Sequence, residues 1–277
     1  MPLSGRVAVV TGAGRGIGRA HALLLAERGA AVVVNDRGVP GDGSGADPAP
    51  AAEVAARIER AGGRSLADAA DIGSIAGGRA LVARAIEAFG RVDILINNAG
   101  IAAGGGEIAE PSEAELDRLM DIHFKGALGT MSAAFADMAR RRWGRIVNTV
   151  SEVALDPRFT TTGFAYGAAK AALWSVTLSA AKAGEAHGVT VNAISPGART
   201  RMNADLLDAG FRGPTPPLDL DPAHVARVAA WLASDAAGDI TGRILHAAAG
   251  QVREYETRRS AGTALAARIQ ADLDRGA

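Results

Sequence analysis

Tyr166 and Lys170 stand four residues apart in a stretch with helical patterning, so they share one helix face about one turn apart. The chain holds two Tyr and three Lys (Lys125, Lys170 and Lys182) in 277 residues, so chance seldom produces this pair. A phenol titrates near ~10, and using it as a base near neutral pH takes roughly 4 kcal/mol of preferential stabilisation of the phenolate. An ammonium one turn away has the sign to supply part of that. Ser151 follows the apolar run Ile146-Val147-Asn148-Thr149-Val150, which puts its hydroxyl at the carboxyl end of a strand. There it either bonds a substrate oxygen or caps the next turn. It lacks the G-x-S-x-G setting of a hydrolase nucleophile.

A second constellation is Thr11-Gly12-Ala13-Gly14-Arg15-Gly16-Ile17-Gly18, between a β-branched run and a helical one. Such a turn aims backbone N–H groups and the helix dipole at one spot, which suits a diphosphate. The spacing is T-G-x-x-x-G-x-G and not G-x-G-x-x-G. Gly12, Arg15, Gly16, Ile17 and Gly18 are therefore expected around the cofactor. Asp36 ends the next apolar run, where its carboxylate either accepts hydrogen bonds from an adenosine ribose or starts a turn. A carboxylate there repels a 2′-phosphate, so NAD is expected over NADP, with neighbouring Arg37 as a competing phosphate contact. Asp71 and Ile72, after the third run, are expected beside the adenine. An oxidised nicotinamide would add the second positive charge that Tyr166 needs.

Other chemistry has little support. The chain has no Cys, hence no thiol nucleophile or thiolate metal site, and its histidines (21, 123, 187, 224 and 246) show no metal-ligand spacing. His123, in Asp121-Ile122-His123-Phe124-Lys125-Gly126, reads on periodicity alone as a packed or capping residue. Thirty basic residues balance thirty acidic ones, which offers no overall field for nucleic acid or an anionic membrane. The longest uninterrupted apolar run, Val228 to Ala233, is far short of a membrane span or a signal peptide, so the chain reads as cytoplasmic.

The elements that must carry these residues alternate along the chain. Short apolar runs predict strands at Arg6–Thr11, Ala30–Asn35, Arg64–Ala69, Val92–Asn97, Gly144–Val150, Val189–Ser195 and Gly242–Ala247. Longer Ala/Leu/Arg segments predict helices at Gly16–Arg28, Ala51–Ala61, Ser74–Phe89, Ser112–Arg142, Gly163–His187 and Asp221–Ser234. Strands that are apolar almost throughout are covered on both faces. The expectation is α/β: one Rossmann-type domain over residues 1–277, a doubly wound parallel sheet of about seven strands with helices on both faces. Gly38–Pro50 reads as a long loop, Gly210–Asp219 as a substrate lid, and 254–277 as an extended tail with Leu265, Ile269 and Leu273 in a narrow stripe.

With the glycine turn, Asn97-Asn98-Ala99-Gly100, Ser151, Tyr166-x-x-x-Lys170 and Ser195-Pro196-Gly197 in this order, the chain resembles the short-chain dehydrogenase/reductase family over about residues 4–252. The resemblance implies a single Rossmann-type domain, NAD or NADP as cofactor, and interconversion of secondary alcohols and ketones. It implies that Tyr166 is the acid/base, that Lys170 lowers its pKa and holds the nicotinamide ribose, and that Ser151 orients the carbonyl oxygen. Asn97, Asn98, Ala99, Gly100, Pro196 and Gly197 would line the cofactor. Assembly as a homodimer or homotetramer through the long helices is implied as well.

Val34-Asn35-Asp36 with its glycine-rich loop, and His123-Phe124-Lys125-Gly126, are similar to the (3R)-hydroxyacyl-CoA dehydrogenase branch of peroxisomal multifunctional enzymes, whose relatives also act on steroids. His123 stands where most of the family has Asn, a residue whose main-chain carbonyl holds a proton-relay water; the carbonyl of His offers the same. The substrate is expected to be a 3-hydroxyacyl-CoA, a steroid or terpenoid alcohol, or another ketone. Arg199, Arg201 and Arg212 either meet a CoA phosphate or are solvated. Three features depart from the family pattern. The Ser151–Tyr166 interval is two residues longer than usual, Thr200 comes one residue early after Pro196-Gly197, and the tail is long. A nucleotide-binding sensor or scaffold without turnover is the alternative from another class, and the complete Ser, Tyr and Lys set argues against it. The glycine spacing also argues against the epimerase branch that shares Tyr-x-x-x-Lys.

Overall fold

Runs of Val and Ala form the first two strands, β1 (Val7–Thr11) and β2 (Ala31–Asn35), and every residue in both is buried. Their side chains divide between two cores. Ala8, Val10, Val32 and Val34 pack with α1 (Gly16–Glu27), α2 (Ala49–Arg60) and α7 (Pro222–Leu232) on one face. Val9 and Val33 meet α3 (Ile75–Phe89), α5 (Gly126–Arg141) and α6 (Phe164–Gly184) on the other. Each such buried Val contributes roughly 1.5–3 kcal/mol, so the two-sided cover is what holds the sheet. The computed structural model describes residues 2–39, 45–101, 106–156, 163–200, 202–204, 219–256 and 267.

The remaining strands are β3 (Ser65–Asp68), β4 (Ile94–Asn97), β7 (Gly144–Thr149), β8 (Val189–Gly197), β9 (Ile244–Ala248) and β10 (Gln251–Tyr255). The short pair β5 (Gly106–Glu107) and β6 (Glu110–Pro111) forms a separate ribbon. The main sheet runs β10-β9-β8-β7-β4-β1-β2-β3, parallel except for β10. The chain winds outward from β1 to β3 and then returns to β4 on the other side of β1. That reversal opens a crevice beyond the carboxyl ends of β1 and β4, the place where ligands bind in open α/β sheets.

Three expectations need correction. The sheet has an eighth strand, β10, which is antiparallel. It follows Ala249 and Gly250, both with positive φ (49° and 75°), in a two-residue hairpin turn. Such turns are usually signalled by Asn-Gly or Asp-Gly, and Ala in the left-handed region is uncommon, so the signal was missing. Its residues Gln251–Glu254 are exposed, so no apolar run marked it, and Glu254 and Tyr255 belong to it and not to a tail. The helix expected over Ser112–Arg142 is two helices, α4 (Glu113–Met120) and α5, joined by a π-helical turn at Asp121–Lys125. There the Gly126 N–H bonds back to the Asp121 carbonyl, a one-residue insertion that apolar periodicity does not reveal. Finally, α2 begins at Ala49, with Pro50 tolerated in its first turn, so the preceding loop is shorter than expected.

The lid positions 210–218, the loop positions 40–44 and 157–162, Arg201, Arg212 and the stripe Leu265, Ile269 and Leu273 lie outside the described residues. Among the described residues no helix is long and apolar enough to cross a membrane.

Candidate active site

The crevice holds a cleft of about 860 Å³. Its floor is the glycine turn. Gly12 has φ +64°, and a Cβ there would lie 2.8 Å from Ala99 Cα; a Cβ at Gly18 would lie 2.0 Å from the Gly12 carbonyl oxygen. Only glycine lets β1, the turn and α1 nest this closely. Thr11 Oγ1 accepts the N–H groups of Asn98 and Ala99, each at 3.0 Å, and Asn98 Nδ2 donates to the carbonyls of Thr11 (3.0 Å) and Gly12 (3.2 Å). The ends of β1 and β4 are thereby joined edge to edge. At the start of α1 no side chain caps the helix and its first turn carries no acid, which leaves N–H groups and the positive dipole end for an anion.

Asp36 stands on the same wall. Its Oδ2 accepts the Gly14 N–H at 2.8 Å and its Oδ1 the Gly38 N–H at 2.7 Å, so the carboxylate ties the glycine turn to the loop after β2. Arg37 is paired with Asp71 at 2.9 Å. Arg15 donates to the carbonyls of Gly38 and Val39 at 3.3 and 3.4 Å. The glycine cradle, the open helix end and Asp36 together fit a nicotinamide dinucleotide.

On the opposite wall, Ser151, Tyr166, Lys170 and His123 converge. Lys170, 3% exposed, donates from Nζ to the Thr149 carbonyl at 2.7 Å, and its Nζ lies 5.7 Å from the Tyr166 ring centroid. Ser151 lines the same wall as Tyr166 and tempers its titration, and Ser151 Oγ accepts the Val153 N–H at 3.3 Å. His123, 1% exposed, meets the Tyr166 ring edge-on, with centroids 5.3 Å apart and planes at 89°. Its Nε2 faces both the N–H (3.3 Å) and the carbonyl (3.0 Å) of Ile101, and its tautomer decides which bond forms.

Burial dominates the titration of this wall. It raises the Tyr166 phenol above its ordinary value, and the Ser151 hydrogen bond pulls partly back. It lowers Lys170 to about 7. It holds His123 well below the usual imidazole range, Lys170 adding to the effect and the Ile101 carbonyl opposing it. Desolvation sets the direction for Tyr166, and the lowering by the Lys170 ammonium expected from their spacing is not among its causes. Tyr166 is a neutral phenol at neutral pH, and Lys170 sits near the midpoint of its titration.

The short chain dehydrogenase family model matches residues 6–209. The chain belongs to that family. It is 39% identical to the peroxisomal multifunctional enzyme type 2 of Drosophila melanogaster over 94% of this chain and 42% of that protein. It is also 40% identical to a hydroxyacyl-CoA dehydrogenase of Mycobacterium tuberculosis over 87% of this chain and 77% of that protein. Its structure is similar to that of a short chain dehydrogenase from Mycobacterium avium, with TM-score 0.81 and 37% identity over 100% of this chain and 97% of that one. This short-chain dehydrogenase spans less than half the length of the multifunctional relatives of fly, yeast (22%) and mouse (35%). It is related to their (3R)-hydroxyacyl-CoA branch.

In this dehydrogenase the cleft wall includes Gly12, Arg15, Gly16, Ile17 and Gly18, together with Asp36, Asp71 and Ile72. It also includes Asn98, Ala99 and Gly100, and Ser151, Tyr166, Lys170, His123 and Pro196. Two residues sit elsewhere. Gly197 packs on β9, where a Cβ would lie 2.5 Å from Ala248 Cβ. Asn97 is 4% exposed and donates to Asn148 Oδ1 at 2.9 Å. Thr200 reaches the cleft through its own turn, with its N–H on Asn203 Oδ1 at 2.7 Å. Asn203, Met202 and Ile122 line the cleft without any motif in the sequence to mark them; they follow from the turn after β8 and from the π-helical turn.

Proposed function

We propose that this dehydrogenase interconverts the hydroxyl and ketone forms of a hydroxyacyl-CoA, using NAD(H) in preference to NADP(H). The observation that carries the reading is the convergence of the Ser151 and Tyr166 hydroxyls with the buried Lys170 on the wall facing the glycine cradle. When bound, the nicotinamide supplies the hydride acceptor or donor. Tyr166 takes the substrate's hydroxyl proton at Oη during oxidation and returns it during reduction. Ser151 donates to the substrate oxygen and steadies the charge that develops on it. Lys170 holds the nicotinamide ribose and, when protonated, favours the phenolate of Tyr166. His123, neutral and packed against the Tyr166 ring, fixes the orientation of the phenol.

The NAD preference rests on Asp36, whose carboxylate at the end of β2 repels a 2′-phosphate. Arg37 is paired with Asp71 and Arg15 donates to two backbone carbonyls, so both cations already have partners of their own. The hydroxyacyl-CoA class is supported by the name of the mycobacterial relative, of which this chain covers 77%.

The test is a rate comparison with purified protein, NAD or NADP, and three alcohols: a 3-hydroxyacyl-CoA, a hydroxysteroid and a small cyclic alcohol. NADH formation fastest with the acyl-CoA and NAD is expected. Cofactor binding without NADH formation on any alcohol would overturn the proposal.

A further inference from the structure

The Ser151 hydroxyl, which shares the cleft wall with Tyr166, sits on a turn anchored from the far edge of the sheet. Ser151 caps the single turn Glu152–Ala154 by accepting the Val153 N–H, which leaves its own O–H free to donate into the cleft that Tyr166 also lines. Ser151 and Val153 line the cleft, but Glu152 between them does not. Its backbone carbonyl accepts the N–H groups of Leu155 (2.9 Å) and Asp156 (2.8 Å), which close the turn.

The Glu152 side chain is fixed as well. Oε1 accepts the Tyr255 hydroxyl at 2.6 Å and lies 3.3 Å from His246 Nδ1. Tyr255 ends β10 and packs on the core beneath α3, α5 and α6. His246 belongs to β9 and covers Gly197, where a Cβ would lie 3.3 Å from its Cε1. The Glu152 side chain is only 24% exposed, so the Tyr255–Glu152 bond, assisted by the carboxylate charge, is stronger than an open surface contact, with the His246 ring packed beside the same oxygen. None of the three residues belongs to a family motif quoted above, and two come from β9 and the edge strand β10.

We infer that Glu152, His246 and Tyr255 form a positioning cluster, through which the terminal strand β10 sets where the Ser151 hydroxyl stands against Tyr166. The inference rests on the catalytic roles proposed for Ser151 and Tyr166. The cluster acts through the Ser151 turn and touches neither substrate nor cofactor, so its loss lowers turnover and spares cofactor binding.

The test uses the full chain with Glu152→Ala, Glu152→Gln and Tyr255→Phe. It reads kcat, KM, NADH affinity by fluorescence titration, and amide exchange over 152–156. Losing this charge-assisted anchor is expected to lower kcat about ten-fold in Glu152→Ala and Tyr255→Phe. NADH affinity stays within about two-fold, and the amides of Val153, Leu155 and Asp156 exchange faster. Glu152→Gln, which still accepts the Tyr255 hydroxyl, recovers most of the rate. Unchanged kcat in Glu152→Ala, or a loss that Gln fails to recover, would overturn the inference. Amide exchange needs no turnover, and it separates the two failures. A wild-type chain that oxidises no alcohol refutes the dehydrogenase roles, whereas unchanged exchange in Tyr255→Phe refutes the cluster.

Discussion

Lys170 and Tyr166 were legible as a pair because a four-residue interval on a helix has one geometric meaning. Their titration was not, because it depends on how much water the folded wall excludes. Burial brings Lys170 to about 7 and raises Tyr166, so the phenol is the resting form. In the proposed mechanism oxidation uses the phenolate and reduction uses the phenol. Initial rates of alcohol oxidation should therefore climb as pH rises into the alkaline range while ketone reduction declines; parallel profiles in the two directions would contradict the assignment. Asp36 was legible from its place after a strand, whereas its bonds to Gly14 and Gly38 were not. Asp36→Ala should raise the NADP-to-NAD ratio of kcat/KM by about ten-fold or more, since removing a like charge from a phosphate site relieves a penalty of a few kcal/mol. The same change should weaken NAD binding by loosening the turn. Kinetics with both cofactors decide this.

His21 shows burial acting on stability alone. It is 2% exposed in α1, and desolvation lowers its pKa to about 4 from 6.5. Between those values the unfolded chain binds a proton that the folded chain does not, so stability falls as pH drops from about 6.5 toward 4. The loss attributable to this residue reaches about 3 kcal/mol at pH 4. His21→Leu should flatten the acid side of the Tm-versus-pH curve; an unchanged slope would refute the attribution.

Between β4, β7, α5 and α6 lies a knot of polar side chains that no local pattern announces. Asn97 donates to Asn148 Oδ1 at 2.9 Å, Thr130 donates to Asn97 Oδ1 at 2.7 Å, and Asn148 donates to Thr177 Oγ1 at 2.9 Å. All four residues are buried. Asn97 was expected at the cofactor because it opens Asn97-Asn98-Ala99-Gly100, yet its amide ties β4 to β7 and α5, and Asn148 carries the link on to α6. Asn148→Ala strands its partners in the core and should cost about 2–4 kcal/mol, read as a lower denaturant midpoint. A loss below about 0.5 kcal/mol would show that the knot contributes little. The π-helical turn at Asp121–Lys125 was hidden for a related reason. One extra residue leaves both flanking helices amphipathic, and only the backbone bond from Gly126 to Asp121 reveals it.

Across the whole molecule, the parallel part of the sheet was legible because burial on both faces demands continuous apolar runs. The crevice followed from the order of strands and helices. The strand β10 was not legible, since an exposed antiparallel edge needs no apolar run, and its turn uses Ala249 where Asn or Asp is usual. That strand reaches the active site only indirectly, through the Tyr255 bond to Glu152 next to Ser151, so the strand that the sequence hid also makes a contact between residues 103 apart in the chain. The central claim is that Tyr166 carries the proton at a site that binds dinucleotide independently. Its most direct test is Tyr166→Phe, followed by turnover and by NADH titration on the same preparation. Turnover lower by two or more orders of magnitude, about 3 kcal/mol or more in the barrier, with NADH affinity nearly unchanged is the predicted result. Turnover equal to that of the wild type would contradict it.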